Sequence, residues 1–248
     1  MTNEFFFLCL PYNFNNICYI YSPTVKEVIA TKNFNFYLKL LTISQEEIED
    51  EFVKEQKTGE ILTPLENLLN LSYNNKEIEE GAKEAFYFFI HEPITFLYDK
   101  KTIIIGDLKE VLSNTKKISN LRTITEETFF DFQNLIRKAV GEKVVEKPDP
   151  NEHPKIRAMK AKARYRDKIK AKQNSKNGLS LLSSLASICC MGFGLNPLNI
   201  GEISYVSVSI LMSMYQDKEK YEIDVKSLLA GADKKKVKPK YWIKNIEN

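Results

Sequence analysis

The side chains that most often do chemistry in proteins are few in this chain and form no recognisable site. The two histidines are His91, which follows the apolar run FYFFI, and His153, which lies in a proline-containing stretch. A catalytic histidine acts on a nucleophile or acid within hydrogen-bonding distance, and no motif in the sequence supplies such a partner. We therefore interpret His91 as a residue at the C-terminal end of a helix, where a cation is favourable.

The four cysteines also lack a ligand pattern. Cys9, Cys18, Cys189 and Cys190 lie among apolar residues, and neither C-x-x-C nor a Cys/His spacing typical of zinc occurs. A reduced cysteine in such surroundings behaves as a small apolar side chain. This pattern favours a reducing compartment such as the cytoplasm.

Phosphate and metal motifs are equally weak. The segment GFGLNPLNIGE contains three glycines, but no strand precedes it and no Lys-Ser/Thr pair follows it, as a phosphate loop requires. The acids of SQEEIEDEF fit the first turn and solvated face of a helix better than a metal site. We predict that the chain is not an enzyme and that it uses no cofactor or metal.

One stretch carries a large share of the positive charge. Residues 153–178, HPKIRAMKAKARYRDKIKAKQNSKNG, contain ten Lys and Arg residues and one acid, although the net charge of the whole chain is only +3. The rest of the chain is therefore acidic. Between Pro154 and Gly178 the stretch is rich in good helix formers, which predicts a charged and largely solvated helix.

Three functions are open to this basic helix. In a nucleic-acid-binding regulator, residues 155–176 would bind phosphates in a salt-dependent way, with Lys160, Arg164 and Lys168 as electrostatic contacts. The run offers a single aromatic residue for base stacking, Tyr165. A membrane-surface helix would need a broader apolar face. We favour a connector whose positive face is solvated or meets an acidic protein, with nucleic-acid binding as an alternative.

The remaining segments predict an α+β fold, with strands grouped in two hairpins. Residues 4–10 and 17–21 are rich in aromatic and β-branched side chains and flank the turn-forming NFNN. The same pattern occurs in ITFLY-DKK-TIIIG, at 94–106. Several helices are expected between the hairpins and after the second one.

Capping signals mark the starts of these helices. We predict Ser22 as the N-cap of the first, with Pro23 at its first position. Thr63 with Glu66 forms a capping box before another, and Thr125 caps the helix EETFFDFQNLIRKAV.

Three parts are predicted along the chain. Residues 1–145 form the mixed N-terminal domain, residues 146–178 form a linker and the basic helix, and residues 179–248 form a small all-helical module with a basic tail. The boundary lies at EKVVEKPDPNEHP, whose prolines and charges are typical of a linker. In the module, a second helix is expected through Met212 and a separate third one in YEIDVKSLLAGAD. No segment has the ~18 consecutive apolar residues that cross a membrane.

The C-terminal third resembles the tail assembly chaperones of long-tailed bacteriophages. The motifs that carry the resemblance are LNIGEISY at a helix start, YEIDVKSLLAGAD and KKVKPKYWI, placed after the charged connector. The resemblance implies a non-enzymatic assembly factor in the cytoplasm of the bacterial host, not expected in the mature virion. Such proteins bind the tape-measure protein, keep it soluble and recruit tail-tube protein. For this chain, self-association is a further expectation. A structural protein of the virion, in the tail or connector, is the alternative from another class.

The predicted partner surface lies in the C-terminal module. A module this small is not expected to bury all the apolar faces of its helices internally. The candidate residues are Leu181, Leu185, Ile188, Met191, Met212, Met214, Tyr241 and Trp242. Apolar stripes of this spacing form either an internal core or a groove that receives an amphipathic helix, and both interpretations are open.

The connector hypothesis predicts that the basic helix does not bind nucleic acid tightly. Reversing the charges of Lys160, Arg164 and Lys168 should leave the fold intact and change only salt-dependent association. A gel-shift assay at physiological salt checks this. Binding to nucleic acid with micromolar affinity, abolished by the three substitutions, would contradict the connector hypothesis.

Overall fold

The computed structural model describes residues 2–54, 62–106, 121–147, 180–192, 194–233 and 237–243, and also Ile156, Met159, Ala163 and Arg166. Within this part the chain combines helices with two small antiparallel sheets, which confirms the predicted α+β class. None of the helices described is both long and apolar enough to cross a membrane.

The short strands occur in two groups along the chain, and helices precede, separate and follow these groups. The helices are α1 (Thr2–Phe7), α2 (Val25–Ala30), α3 (Phe34–Thr42), α4 (Gln45–Lys54), α5 (Pro64–Asn74), α6 (Lys76–Ile90), α7 (Glu126–Ala139), α8 (Leu181–Cys190) and α9 (Tyr205–Leu229). The strands are β1 (Tyr12–Phe14), β2 (Cys18–Ile20), β3 (Ile94–Leu97), β4 (Thr102–Ile105) and β5 (Thr123–Ile124). Strands β1 and β2 form one sheet, and β3-β4-β5 form the other.

The second predicted hairpin is confirmed, with one addition. Ile94 pairs with Ile105 across β3 and β4, and the turn between them is a 3-10 turn at Tyr98–Lys100. The sequence did not predict β5, which pairs with β4 through Ile103 and Ile124. A strand of two residues is too short to show an alternating pattern.

The first predicted hairpin is wrong in its first strand. Residues 4–10 do not form a strand, because α1 covers Thr2–Phe7 and Cys9 then adopts a left-handed conformation with φ 55°. The hairpin is formed instead by β1 and β2. An unbroken apolar run such as FFFLCL fits a strand or a buried helix equally well, and aromatic propensity alone does not decide between them.

The predicted caps of α5 and α7 are confirmed, and the predicted cap of α2 is wrong. Thr63 and Glu66 form the predicted capping box of α5. The N-cap of α2 is Thr24, not Ser22, because Thr24 forms a full capping box with Glu27. The Ser22 hydroxyl has another role: it is buried and donates to the Ala139 carbonyl at the end of α7 (2.7 Å).

The buried apolar residues form a larger and a smaller core. Helix α7, predicted with Thr125 as its cap, lies at the centre of the larger one. Phe129, Phe132 and Ile136 are fully buried on one face, and the helix contacts α1, α3, α5, α9, β2 and β5. On the side of α3, the Gln133 amide donates to the carbonyls of Leu41 (3.0 Å) and Ile43 (2.9 Å). These bonds satisfy carbonyls at the end of α3 that have no partner within that helix.

The C-terminal region contains one long helix where two were predicted. Helix α9 runs for 25 residues without a break through YQDKEKYEI. This segment has neither Gly nor Pro, and Glu222 lies within 3.9 Å of both Lys218 and Lys226, four residues before and after it. Such pairs stabilise a solvated helix even where no apolar stripe continues. Gly231, with φ 95°, follows the helix as predicted.

The start of α9 is bonded directly to the N-terminal part of the chain. The hydroxyls of Ser204 and Ser207 donate to the Phe7 carbonyl (3.3 and 3.1 Å). The Tyr205 amide donates to the Pro23 carbonyl at 2.7 Å. Val206 belongs to the larger core around α7. Burial of Ser204, Val206 and Ser207 makes the first turns of α9 part of the same packed unit as α7.

A second, smaller core also draws on both ends of the chain. It contains Val25, Leu185, Ile188, Ile200 and Val208. Autonomous folding of residues 1–145 therefore stays a prediction, and we expect the isolated fragment to be less stable than the whole chain because it lacks these contacts.

Four positions of the basic run are described. Ile156, Met159, Ala163 and Arg166 are helical and exposed, Met159 by 72%. A charged, solvated helix was predicted here, and these positions agree with it. Lys160, Arg164 and Lys168 lie outside the described residues.

Because the two ends of the chain share their cores, we expect unfolding to be a single transition. Far-UV circular dichroism and the fluorescence of Trp242, the only tryptophan, should give the same denaturation midpoint. Val206→Ala should lower the free energy of unfolding by about 2 kcal/mol in that one transition. The control Leu229→Ala, at a side chain 83% exposed, should change it little. Two separated transitions would contradict a shared core.

Candidate functional site: two grooves along helix α9

The first half of α9 forms a ridge between two open grooves. We call the larger one the tryptophan groove; it has a volume of about 730 Å³ and is lined by Asn3, Lys138, Gly141, Glu142, Lys143, Val144, Val206, Ser209, Ile210, Ser213, Met214, Asp217 and Trp242. The α8 groove, on the other side of the ridge, has a volume of about 560 Å³ and is lined by Val140, Leu181, Ser184, Tyr205, Val208, Ser209, Met212 and Gln216.

One wall of the tryptophan groove is a continuous face of α9. Its lining residues from Val206 to Asp217 follow one another at intervals of three, one, three, one and three, which places them on a single side of the helix. With a rise of 1.5 Å per residue, this face extends for about 16 Å. Its apolar positions are Val206, Ile210 and Met214. The opposite wall is formed by the end of α7 and the residues after it, 138–144.

Glycine at position 141 allows the two walls to meet. Gly141 has φ +78°, and a Cβ atom added to it would lie 3.0 Å from Ser209 Oγ and 3.3 Å from Val206 Cγ2. A larger residue would be strained in this backbone conformation and would press on α9. The close approach of Gly141 to α9 therefore fixes the spacing of the walls at this point.

An ion pair stabilises the segment that follows α7. The Arg137 guanidinium donates to the Thr42 carbonyl and lies 3.4 Å from the Glu142 carboxylate. The backbone amide of Glu142 also donates to the Arg137 carbonyl, at 2.8 Å. Burial raises the pKa of Glu142, and the charge of Arg137 opposes that rise. The backbone from 137 to 142 is thus connected to the end of α3, which orients this wall.

The C-terminal tail places Trp242 in the groove. The Tyr241 ring lies edge-on against Tyr221 of α9 at 5.7 Å, and its centroid is 6.3 Å from that of Trp242. Residues 237–243 form neither helix nor strand. Ring contacts with α9 thus help to position the tail, and Trp242 is half-buried as a groove residue.

The structure separates the predicted partner-binding residues into groups. Met214 and Trp242 line the tryptophan groove, and Leu181 and Met212 line the α8 groove. Leu185 and Ile188 belong to the smaller core, and Met191 packs against it. Tyr241 lies beside the tryptophan groove and is 64% exposed. The core interpretation thus describes Leu185, Ile188 and Met191, and Leu181 and Met212 both pack against the smaller core and line the α8 groove. The groove interpretation applies without a core contact to Met214 and Trp242.

Sequence reasoning missed most of the wall opposite α9. Val144 lies in the segment that was interpreted as linker, and Asn3 precedes the segment 4–10 that was interpreted as a strand. Ile210 and Ser213 share the face of Met214, so a single helix drawn from 205 to 229 would have included them. Lys138 and Gly141 had no signal beyond their place at a helix end.

The potential catalytic side chains occupy structural positions. His91 ends α6 with φ 56° and its ring stacks on Tyr21 at 4.1 Å, in agreement with the predicted role at a helix end. Burial raises the pKa of Cys18 to about 12, so this thiol stays protonated at neutral pH. Among the residues described, no group of three or more His, Cys, Asp and Glu side chains could hold a metal ion.

Comparison with protein-family models, curated proteins and solved structures finds no match to this chain. The resemblance of the C-terminal third to tail assembly chaperones therefore stays a prediction. The grooves along α9 and the charges around them are the structural basis for a proposal about function.

The contact of Gly141 with α9 predicts a specific loss of stability. Gly141→Ala should cost about 1–2 kcal/mol from its left-handed backbone, and a further ~1 kcal/mol because Ser209 and Val206 must shift. Gly192→Ala is the matched control, since Gly192 has the same φ of 78° with no atom within 4 Å of the added Cβ. Chemical denaturation measures both. Equal losses for the two variants would contradict the proposed role of the contact.

Proposed function

We propose that this chain is a non-enzymatic assembly chaperone that holds an apolar helix of a partner protein in the tryptophan groove. The observation that carries the proposal is the face of α9 from Val206 to Asp217, with an opposing wall at residues 138–144 and an aromatic side chain at its edge. Helix-in-groove binding uses side chains spaced by three and four residues along about three turns, which is the length of this face.

The side chains in the groove suit such a ligand. Met214 is unbranched and polarisable, so it adapts to partner side chains of different shape. Trp242 offers a large apolar surface with a single donor, and residues of this type commonly dominate binding energy at the centre of an interface.

The resemblance of the C-terminal third suggests the identity of the partner. In long-tailed bacteriophages the tape-measure protein is a long helical chain whose apolar faces would aggregate if left exposed. A chaperone of this kind would cover one such face in the cytoplasm of the bacterial host, bring tail-tube protein to the complex and be absent from the mature virion. The connector and the motifs LNIGEISY and YEIDVKSLLAGAD support this assignment.

Substitution in the groove should release the partner without unfolding the chain. We expect Met214→Ala with Trp242→Ala to weaken binding of the co-expressed tape-measure protein by at least thirtyfold, since loss of an interface anchor costs about 2 kcal/mol or more. Ile223→Ala is the control, because Ile223 lies on the same helix, is 61% exposed and lines neither groove. Quantitative co-purification measures the effect, and circular dichroism checks the fold.

Two outcomes would contradict the proposal. Full recovery of the tape-measure protein by the folded double variant would exclude the tryptophan groove as the binding site. Stoichiometric amounts of the chain in purified virions, measured by mass spectrometry, would favour a structural component of the particle.

A further inference from the structure

We propose that the helix bound in the tryptophan groove carries carboxylates beside its apolar face, and that Lys138 and Lys143 select for them. The inference rests on the proposed function, because it names the chemistry of the partner at the same groove. It is carried by the distribution of charge on the groove walls.

The positive charges of the groove are on one wall. Lys138 lies in the last turn of α7, Lys143 lies five residues further on, and both side chains line the groove. Within the part of the chain that the structure describes, neither lysine is within salt-bridge distance of a carboxylate. Both ammonium groups are therefore in position to meet charges supplied by a ligand.

The carboxylates of the groove already have interactions. Glu142 lies between the two lysines in sequence, and its carboxylate is 3.4 Å from Arg137. The ion pair of Glu142 and Arg137 therefore contributes little net charge. Asp217 is on the opposite wall, at the far end of the α9 face, and it also takes part in an interaction of its own. The wall formed by 138–144 consequently presents net positive charge to a ligand.

The tail increases the positive charge near the aromatic anchor. Lys238 and Lys240 are exposed and precede Trp242 by four and two residues. The α9 wall supplies the apolar side chains Val206, Ile210 and Met214, and ammonium groups lie beside them. This combination is complementary to an amphipathic helix with Glu or Asp beside its apolar stripe. Like charges at the same edge would be disfavoured, which provides selection between partner helices.

The size of the effect follows from the solvation of these lysines, of which Lys143 is exposed and Lys138 is half-buried. Ion pairs at a solvated rim change affinity by roughly two- to fivefold each, and reversing a charge replaces an attraction by a repulsion. Two lysines should therefore give a preference of about tenfold for an acidic over a basic helix. Because the contacts are exposed to solvent, the preference should decrease as salt is added.

A pair of synthetic peptides tests this with the full chain. Both peptides are amphipathic helices that have the same Leu and Met face and contain no tryptophan. One carries Glu beside that face and the other carries Lys. Glu and Lys are both good helix formers, so the two peptides should be equally helical. A fluorescein label on each peptide reports affinity by anisotropy, and the emission of Trp242 reports whether the groove is occupied. We expect the Glu peptide to bind about tenfold more tightly at low salt and to shift Trp242 emission.

Charge reversal in the protein should reverse the preference. Lys138→Glu with Lys143→Glu should weaken the Glu peptide about tenfold and strengthen the Lys peptide. The control Lys100→Glu, an exposed position at the tip of the β3–β4 hairpin, should leave both affinities unchanged.

The outcomes separate this inference from the proposed function. Equal affinity of the two peptides, with a shift in Trp242 emission, would overturn the charge inference and leave helix binding in the groove intact. A tighter Lys peptide would overturn it as well. Binding that leaves Trp242 emission unchanged, or no binding of either peptide to the folded chain, would overturn both.

Discussion

Burial of helix α7 is the interaction on which the rest of the structure depends. Its Phe132 ring stacks on Phe86 of α6 with centroids 5.2 Å apart, and Ile136 continues the same buried face. Near its end, the Ala139 carbonyl accepts from Ser22, and Gly141 then lies against α9. The wall of the tryptophan groove is therefore an extension of the central core helix. A wall held in this way is formed before a partner arrives, which reduces the entropy that binding must overcome.

The grooves also depend on contact between the two ends of the chain. Ser204 and Ser207 hold the first turn of α9 on the Phe7 carbonyl, and Val206 enters the core around α7. The second half of α9 has no buried side chain. Partner binding between α7 and α9 would thus stabilise the same contacts that join the ends of the chain, since a ligand that binds only the folded form adds to its stability.

Elements with strong local signals were predictable from the sequence, and elements set by tertiary packing were not. Helix α7 and the β3–β4 hairpin have clear helical or alternating patterns. Helix α1 could not be distinguished from a strand, because FFFLCL is apolar throughout; in the structure α1 buries Phe6 in the core. For the site, the sequence identified Met214 and Trp242 as candidates but not the opposing wall, because the composition of Val144 and its neighbours is typical of a linker.

The central claim is that the tryptophan groove binds an apolar helix of the partner, and site-specific photocrosslinking tests it most directly. A photoreactive phenylalanine analogue at Ser213, an exposed groove position, should crosslink to an amphipathic segment of the tape-measure protein. The same analogue at Leu229, at the exposed end of α9, should crosslink weakly or not at all. Equal crosslinking from the two positions, or crosslinking from Leu229 alone, would contradict the account.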